Sequence, residues 1–223
     1  MQKNVSKALA AELAGTALVL FALVASSNAA ERLAPGLPGL ALVMTAVAAV
    51  LALYFATRTL GSASGAHFNP LLSMAAAFGG GWPPHGRLAL AALFILAQGA
   101  GAVAGAALAN FLFGMELVQI STNDSAGIVQ WMAEGAAAAG LVMLALLSPG
   151  RRGILVPAYS GVVYCITSSH SLANPAVVLG RMCSSGFAGI APESGAVIIA
   201  ALLAGGAGGA LLAWCADRYS LQA

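Results

Sequence analysis

Six stretches of this chain are apolar over a length close to the thickness of a lipid bilayer, and no other feature narrows its folding options as far. They run about Ala8–Ala30, Leu37–Thr57, Leu88–Phe111, Ile128–Leu147, Gly153–Ser169 and Ala196–Cys215. A helix needs about 20 apolar residues to cross a ~30 Å hydrocarbon core. Composition points the same way, with 60% hydrophobic and only 7% charged residues, where a soluble domain carries about 25% charged. Nine Lys and Arg against seven Asp and Glu are too few to track a phosphate backbone. Soluble enzyme, nucleic-acid binder and disordered scaffold are excluded, so the chain's first partner is the lipid bilayer.

Breakers separate the segments, notably Pro35/Pro38, Pro83-Pro84, Asn123-Asp124 and Pro149-Gly150. With a cytoplasmic N-terminus, Lys3, Lys7, Arg58, Arg87, Arg151, Arg152 and Arg218 share one side, and only Arg32 and Arg181 fall on the other. The positive-inside rule then places both termini in the cytoplasm. Lys3 and Lys7 followed by an apolar run resemble a signal peptide, but the run is long enough to span and holds Glu12, which argues for a first transmembrane helix. Cys165, Cys183 and Cys215 imply no disulfide framework and read as small buried hydrophobes.

Two apolar pieces are too short to cross. One runs from Ser64 through Asn69-Pro70 to Phe78, the other from Ser169 through Asn174-Pro175 to Gly180. Asparagine followed by proline at the first helical position is a helix start signal, so each piece reads as a half-helix entered by a non-helical loop. Ala11-Glu12 in the first span is echoed by Ala133-Glu134 in the fourth. Three spans per half is an odd number, so residues 1–113 and 125–223 are read as two inverted repeats of a single channel domain. Interrupted hydrophobic segments at corresponding places in inverted halves point to a midplane permeation site.

Physical chemistry then assigns parts. Bare backbone at membrane depth survives only where protein or water satisfies it, so the loops are expected to turn carbonyls toward a wet cavity. Half-helix N-termini aimed inward from opposite faces carry partial positive charge and disfavour cations at the centre. Asn69 and Asn174 can cap with the oxygen and offer amide N–H to a solute. Intramembrane carboxylates cost about 2.5–3.5 kcal/mol on insertion scales, so Glu12 and Glu134 are expected to accept N–H bonds from the loops. Gln98 reads as a satisfied buried amide. Gly101/Gly105 and Gly205/Gly209 read as close-packing pairs. No cofactor and no metal ligand set is expected, because His67, His85 and His170 are scattered.

Ser64-Gly65-Ala66-His67-Phe68-Asn69-Pro70 and Asn174-Pro175-Ala176, with paired Glu12/Glu134 and Gln98, resemble the aquaporin (major intrinsic protein) family along the whole chain. The resemblance implies an all-α membrane protein of six transmembrane helices plus two re-entrant half-helices, one pore per subunit, assembled as a homotetramer. It implies solute-orienting amides on Asn69 and Asn174, and a carbonyl ladder from Gly65, Ala66, His67, Phe68, His170, Ser171, Leu172 and Ala173.

Departures from the family pattern carry most of the information. The family's usual Asn-Pro-Ala is Asn69-Pro70-Leu71 in the first half, and the arginine that usually follows the second motif is Val177. Counting from the motifs puts Ala49, Val162 and Ser171 at the other filter positions. His170 stands where the family usually has glycine. A filter of Ala, Val, Ser and Val is wider and less polar than that of strict water channels. The chain therefore resembles aquaglyceroporins, most of all the bacterial arsenic-resistance members of the AqpS type. The expected cargo is small neutral solutes: glycerol-like polyols and trivalent metalloid hydroxides such as arsenous acid, with water and urea as further candidates. Arg181, four residues after Val177, reads as a surface arginine snorkelling into the outer interface, with a displaced pore guanidinium as the alternative. A water-selective channel and an ion-coupled transporter are the rival functions. An intramembrane protease built on Ser160 and His170 has no nameable oxyanion donor. The expected location is a bacterial inner membrane.

Overall fold

Helices approach within backbone contact only where side chains are absent, and four glycines decide where that happens here. In the computed structural model, a Cβ on Gly101 or Gly105 would lie 2.3 Å from the Leu13 carbonyl oxygen or 2.2 Å from that of Ala17. On Gly205 or Gly209 it would lie 2.0 Å from the Gly135 oxygen or 2.1 Å from that of Ala139. Each pair therefore seats one helix directly on the backbone of another. The helix carrying Glu12 packs on the one carrying Gln98, and the helix carrying Glu134 packs on the last.

The structure describes residues 2–79, 82–83, 85–124, 127–167 and 169–220, without the side chains of residues 2, 3, 219 and 220. Pro84, residue 125 at the expected start of the second repeat, residues 221–223 and the Lys3 side chain lie outside the described residues. The elements are α1 (Gln2–Leu33), α2 (Pro38–Ser64), α3 (Pro70–Phe78), α4 (Arg87–Leu112), α5 (Ile128–Leu147), a 3-10 turn (Pro149–Arg151), α6 (Arg152–Ile166), α7 (Pro175–Arg181) and α8 (Pro192–Ser220). Among the described residues, five helices are long and apolar enough to cross a membrane: Asn4–Leu33, Pro38–Ser64, Arg87–Leu112, Ile128–Leu147 and Pro192–Arg218.

The sixth expected span, Gly153–Ser169, is shorter than its apolar run. Helix α6 stops at Ile166 because Thr167 turns to extended backbone (φ −95°, ψ 144°) and starts the second loop. At ~1.5 Å per residue its 15 residues cover roughly 22 Å, short of a ~30 Å hydrocarbon core. Its inward face is Val156, Pro157, Ser160, Val163 and Tyr164, and its outward stripe is Ile154, Ala158, Val162, Cys165 and Ile166. Cys165 is exposed on that stripe and Cys183 and Cys215 are half-buried, so the cysteines are not the buried hydrophobes expected.

The short helices form where the Asn-Pro signals put them. Asn69 Oδ1 accepts from Leu71 N at 2.9 Å and Asn174 Oδ1 from Ala176 N at 3.0 Å. Both asparagines cap from extended backbone with proline next, the arrangement that satisfies a helix's first free N–H groups. Helix α3 leaves the centre toward the chain termini, where Phe78 and Gly79 share a cavity wall with Trp214 and Asp217 near the end of α8. Helix α7 leaves toward the opposite face, where Phe187 N donates to Glu31 at the far end of α1.

Candidate conduction site

The two Asn-Pro loops meet at their tips. Asn69 Nδ2 donates to the Ala173 carbonyl at 3.0 Å, and Asn174 Nδ2 donates to the Phe68 carbonyl at 2.8 Å. Each amide thus binds the residue just before the other asparagine, a reciprocal clasp between sites about a hundred residues apart in sequence. An Asn amide carries two N–H donors, so the clasp uses one from each side chain and leaves one for a solute. Neither asparagine faces lipid; both are almost fully buried.

The backbone around the clasp is unusual. Ala66 and Phe68 in the first loop, and His170, Leu172 and Ala173 in the second, have φ between 47° and 59°. Left-handed backbone costs a non-glycine residue roughly 1–2 kcal/mol, so both loops need outside support. In the first loop that support is Glu12, fully buried, whose Oε1 accepts from Ser64 Oγ at 2.5 Å and His67 N at 3.0 Å. Its Oε2 accepts from Phe68 N and from Gln98 Nε2, each at 2.7 Å. Gln98 Nε2 also donates to Ser73 Oγ at 2.9 Å, and Ser73 Oγ meets His67 Nδ1 at 3.1 Å. The His67 ring packs on Trp82 and Phe94.

Glu134 also holds its loop, but through a different kind of donor from the one expected. It is just as buried, but among the described residues its partners are the hydroxyls of Ser169 and Ser171, not loop N–H groups. Ser171 Oγ passes the support on by accepting from Ala173 N at 3.0 Å. The Gly101/Gly205 and Gly105/Gly209 correspondence puts Leu202 where the first half has Gln98, so no amide reaches Glu134 from that direction. Ser64 and Ser169 each stand five residues before their asparagine. That shared offset was a readable sign of the carboxylate contact, and it was missed.

The carbonyl ladder is less uniform than expected. The carbonyls of Phe68 and Ala173 receive the asparagine amides, and that of Ser171 accepts from Asn174 N at 3.2 Å. The His170 carbonyl is taken by Arg181. Those of Gly65, Ala66, His67 and Leu172 take no hydrogen bond from the described residues. Ser160 and His170 form no nucleophilic pair, because His170 Nδ1 meets the Tyr164 carbonyl at 2.6 Å.

Two half-helices clasped through Asn-Pro loops inside a bundle of apolar spans match a known pattern. The family profile described as Major intrinsic protein matches residues 1–148. The chain belongs to the major intrinsic protein family. It is also 37% identical over 226 residues to "Aquaglyceroporin AqpS" of Rhizobium meliloti (strain 1021), across 98% of this chain and 92% of that protein. As a major intrinsic protein of aquaglyceroporin kind, it is an integral membrane channel for small neutral solutes and not an enzyme.

Against that family background, the expected filter positions divide. Ala49 and Val177 lie fully buried on inward faces. Val162 does not: it is 57% exposed on the outward stripe of α6. Counting back from Asn174 fails there because the helix ends early and the loop between is irregular, so helical phase is lost. The inward residues nearest that level are Val163 and Tyr164. Ser171 turns its hydroxyl away to Glu134, so its side chain does not form a filter wall. Arg181 overturns the snorkelling expectation. It is 2% exposed, with Nη1 donating to the Ser169 carbonyl at 2.5 Å and to that of His170 at 2.6 Å, and Nε donating to the Ala188 carbonyl.

Proposed function

We propose that this channel conducts small hydroxylated neutral solutes, glycerol-like polyols and undissociated trivalent metalloid hydroxides such as arsenous acid, with water and urea as further cargo. The observation that carries the proposal is the reciprocal clasp of Asn69 and Asn174 on the Ala173 and Phe68 carbonyls. It leaves a free amide donor on each side of one midplane point, beside loop carbonyls that accept nothing from the described residues. A hydroxylated solute both donates and accepts, so it exchanges its water hydrogen bonds for these at little loss. A cation would instead meet the positive N-terminal ends of both half-helices. Valine at position 177, where the family usually has arginine, leaves room for a solute larger than water.

The same reading takes residues 1–113 and 125–223 as inverted halves around one conduit, four chains as a homotetramer, and a bacterial inner membrane with both termini cytoplasmic. The relative named Aquaglyceroporin AqpS supports the solute class. Arg181, buried against the second loop, favours the narrower, water-selective alternative. Stopped-flow light scattering of proteoliposomes separates the two. Glycerol and arsenous acid entering well above empty vesicles supports the proposal, and water flux alone supports the alternative. Solute uptake abolished by an uncoupler would instead indicate an ion-coupled transporter.

A further inference from the structure

Arg181 is a cation buried in the apolar interior. Arginine within a membrane protein is costly and as a rule functional. Here the cost is offset by bonds to the carbonyls of Ser169, His170 and Ala188, which are charge-assisted and strong. Ser169 is held from both sides: its hydroxyl donates to Glu134, while its carbonyl accepts from Arg181. The Asn69/Asn174 register places Ala76 where the second half has Arg181, so the cation near the first loop, Arg152, which acts electrostatically on Glu12 and His67, comes from another element, the start of α6.

The guanidinium is buried within the bundle and not at an interface with lipid. Arg181 ends α7, one turn beyond Val177, and helical side chains lean back toward the N-terminus, which carries the guanidinium toward the clasp. The His170 ring beside it lies between Tyr164, at 5.1 Å between centroids, and Phe187, at 6.3 Å. Arg181 Nη2 makes no hydrogen bond to a described residue, while Nε and Nη1 are fully used. One donor nitrogen of the cation is therefore left over beside the second loop.

We propose that Arg181 is the charge barrier of this channel: its guanidinium, anchored on the second loop one turn beyond Val177, excludes cations while the valine leaves neutral solutes room to pass. The proposal rests on the reading of the chain as a conduit for neutral solutes. A fixed charge in a low-dielectric surround repels like charge far more strongly than it would in water. A bulky group set one turn back keeps that repulsion without filling the narrowest level.

The test is the ratio of cation flux to glycerol flux in proteoliposomes, read as thallium-ion uptake and glycerol swelling on one preparation. Arg181→Gln keeps a planar donor for the Ser169 and His170 carbonyls but drops the charge, and should raise the ratio at least tenfold. Arg181→Lys keeps the charge and should hold the ratio within about twofold of native. If Arg181→Gln does not fold, Val177→Glu makes the second measurement: a carboxylate four residues before Arg181 pairs with it, and the ratio should rise with the arginine still present. A purely structural arginine would lower both fluxes together and leave the ratio flat, which would overturn the proposal. A native protein that passes no glycerol refutes the conduit reading, whereas glycerol flux with a flat ratio in the variants refutes the charge barrier alone.

Discussion

Glu12→Gln and Glu134→Gln are the same chemical change at corresponding places in the two halves, yet they should differ severalfold in consequence. Glu12 is surrounded by donors: Ser64 Oγ and His67 N on one oxygen, Phe68 N and Gln98 Nε2 on the other. A glutamine there must put its NH2 against one oxygen's partners. On the Oε1 side it confronts the His67 N–H, and on the Oε2 side the Phe68 N–H. Either way a buried backbone donor loses its acceptor, at about 1–3 kcal/mol, and the surviving bonds lose charge assistance. The sum is about 2–4 kcal/mol, or roughly a 4–16 °C fall in Tm at 2–4 °C per kcal/mol for a chain of this size. Among the described residues Glu134 hydrogen-bonds only to the hydroxyls of Ser169 and Ser171, and a hydroxyl rotates to accept as readily as it donates. Each carboxylate also interacts with a cation, Arg181 for Glu134 and Arg152 for Glu12, so that loss is common to both substitutions. The Glu134 substitution should cost under ~1 kcal/mol, and its Tm should move by less than about 4 °C. Thermal unfolding of the detergent-purified variants measures the difference directly, with glycerol swelling as the functional readout. A Glu134→Gln shift equal to or larger than that of Glu12→Gln would refute the argument from donor type.

Four further outcomes rest on the packing. Gly105→Ala and Gly209→Ala drive a methyl into the carbonyls of Ala17 and Ala139 and should each cost about 1–3 kcal/mol as overpacking. Gly208→Ala meets nothing within 4 Å and should leave Tm unchanged or raise it. Val162→Phe, on the outward face of α6, should leave glycerol and arsenous acid uptake at native levels, while Ala49→Phe, fully buried, should reduce both sharply in the same swelling and uptake assays. Val177→Arg adds a second guanidinium one turn before Arg181, and the glycerol-to-water permeability ratio should fall about tenfold, equivalent to ~1.4 kcal/mol of added barrier.

Much of this molecule is written in local sequence. The apolar runs, the breakers between them and the two Asn-Pro starts are short-range signals, and helix boundaries and caps follow from them because backbone hydrogen bonds inside a membrane must close locally. Ile128–Leu147 emerges with the same ends in the sequence and in the structure. The placement of Glu12 against a loop was legible for a related reason, since a buried carboxylate needs donors and the loop is the nearest backbone that has them free.

Tertiary structure decided what depends on phase and on partners distant in the chain. Val162 turned outward because counting residues across an irregular loop does not conserve helical phase. Glu134 found serine hydroxyls because left-handed residues at 170, 172 and 173 rotate the N–H groups of the second loop away from where the first loop presents its own. Arg181 went inward because three carbonyls, one of them on Ala188 beyond the helix, were assembled around it only when the chain folded. A charged side chain goes where its solvation is best, and for this arginine that place did not exist until the second loop had closed.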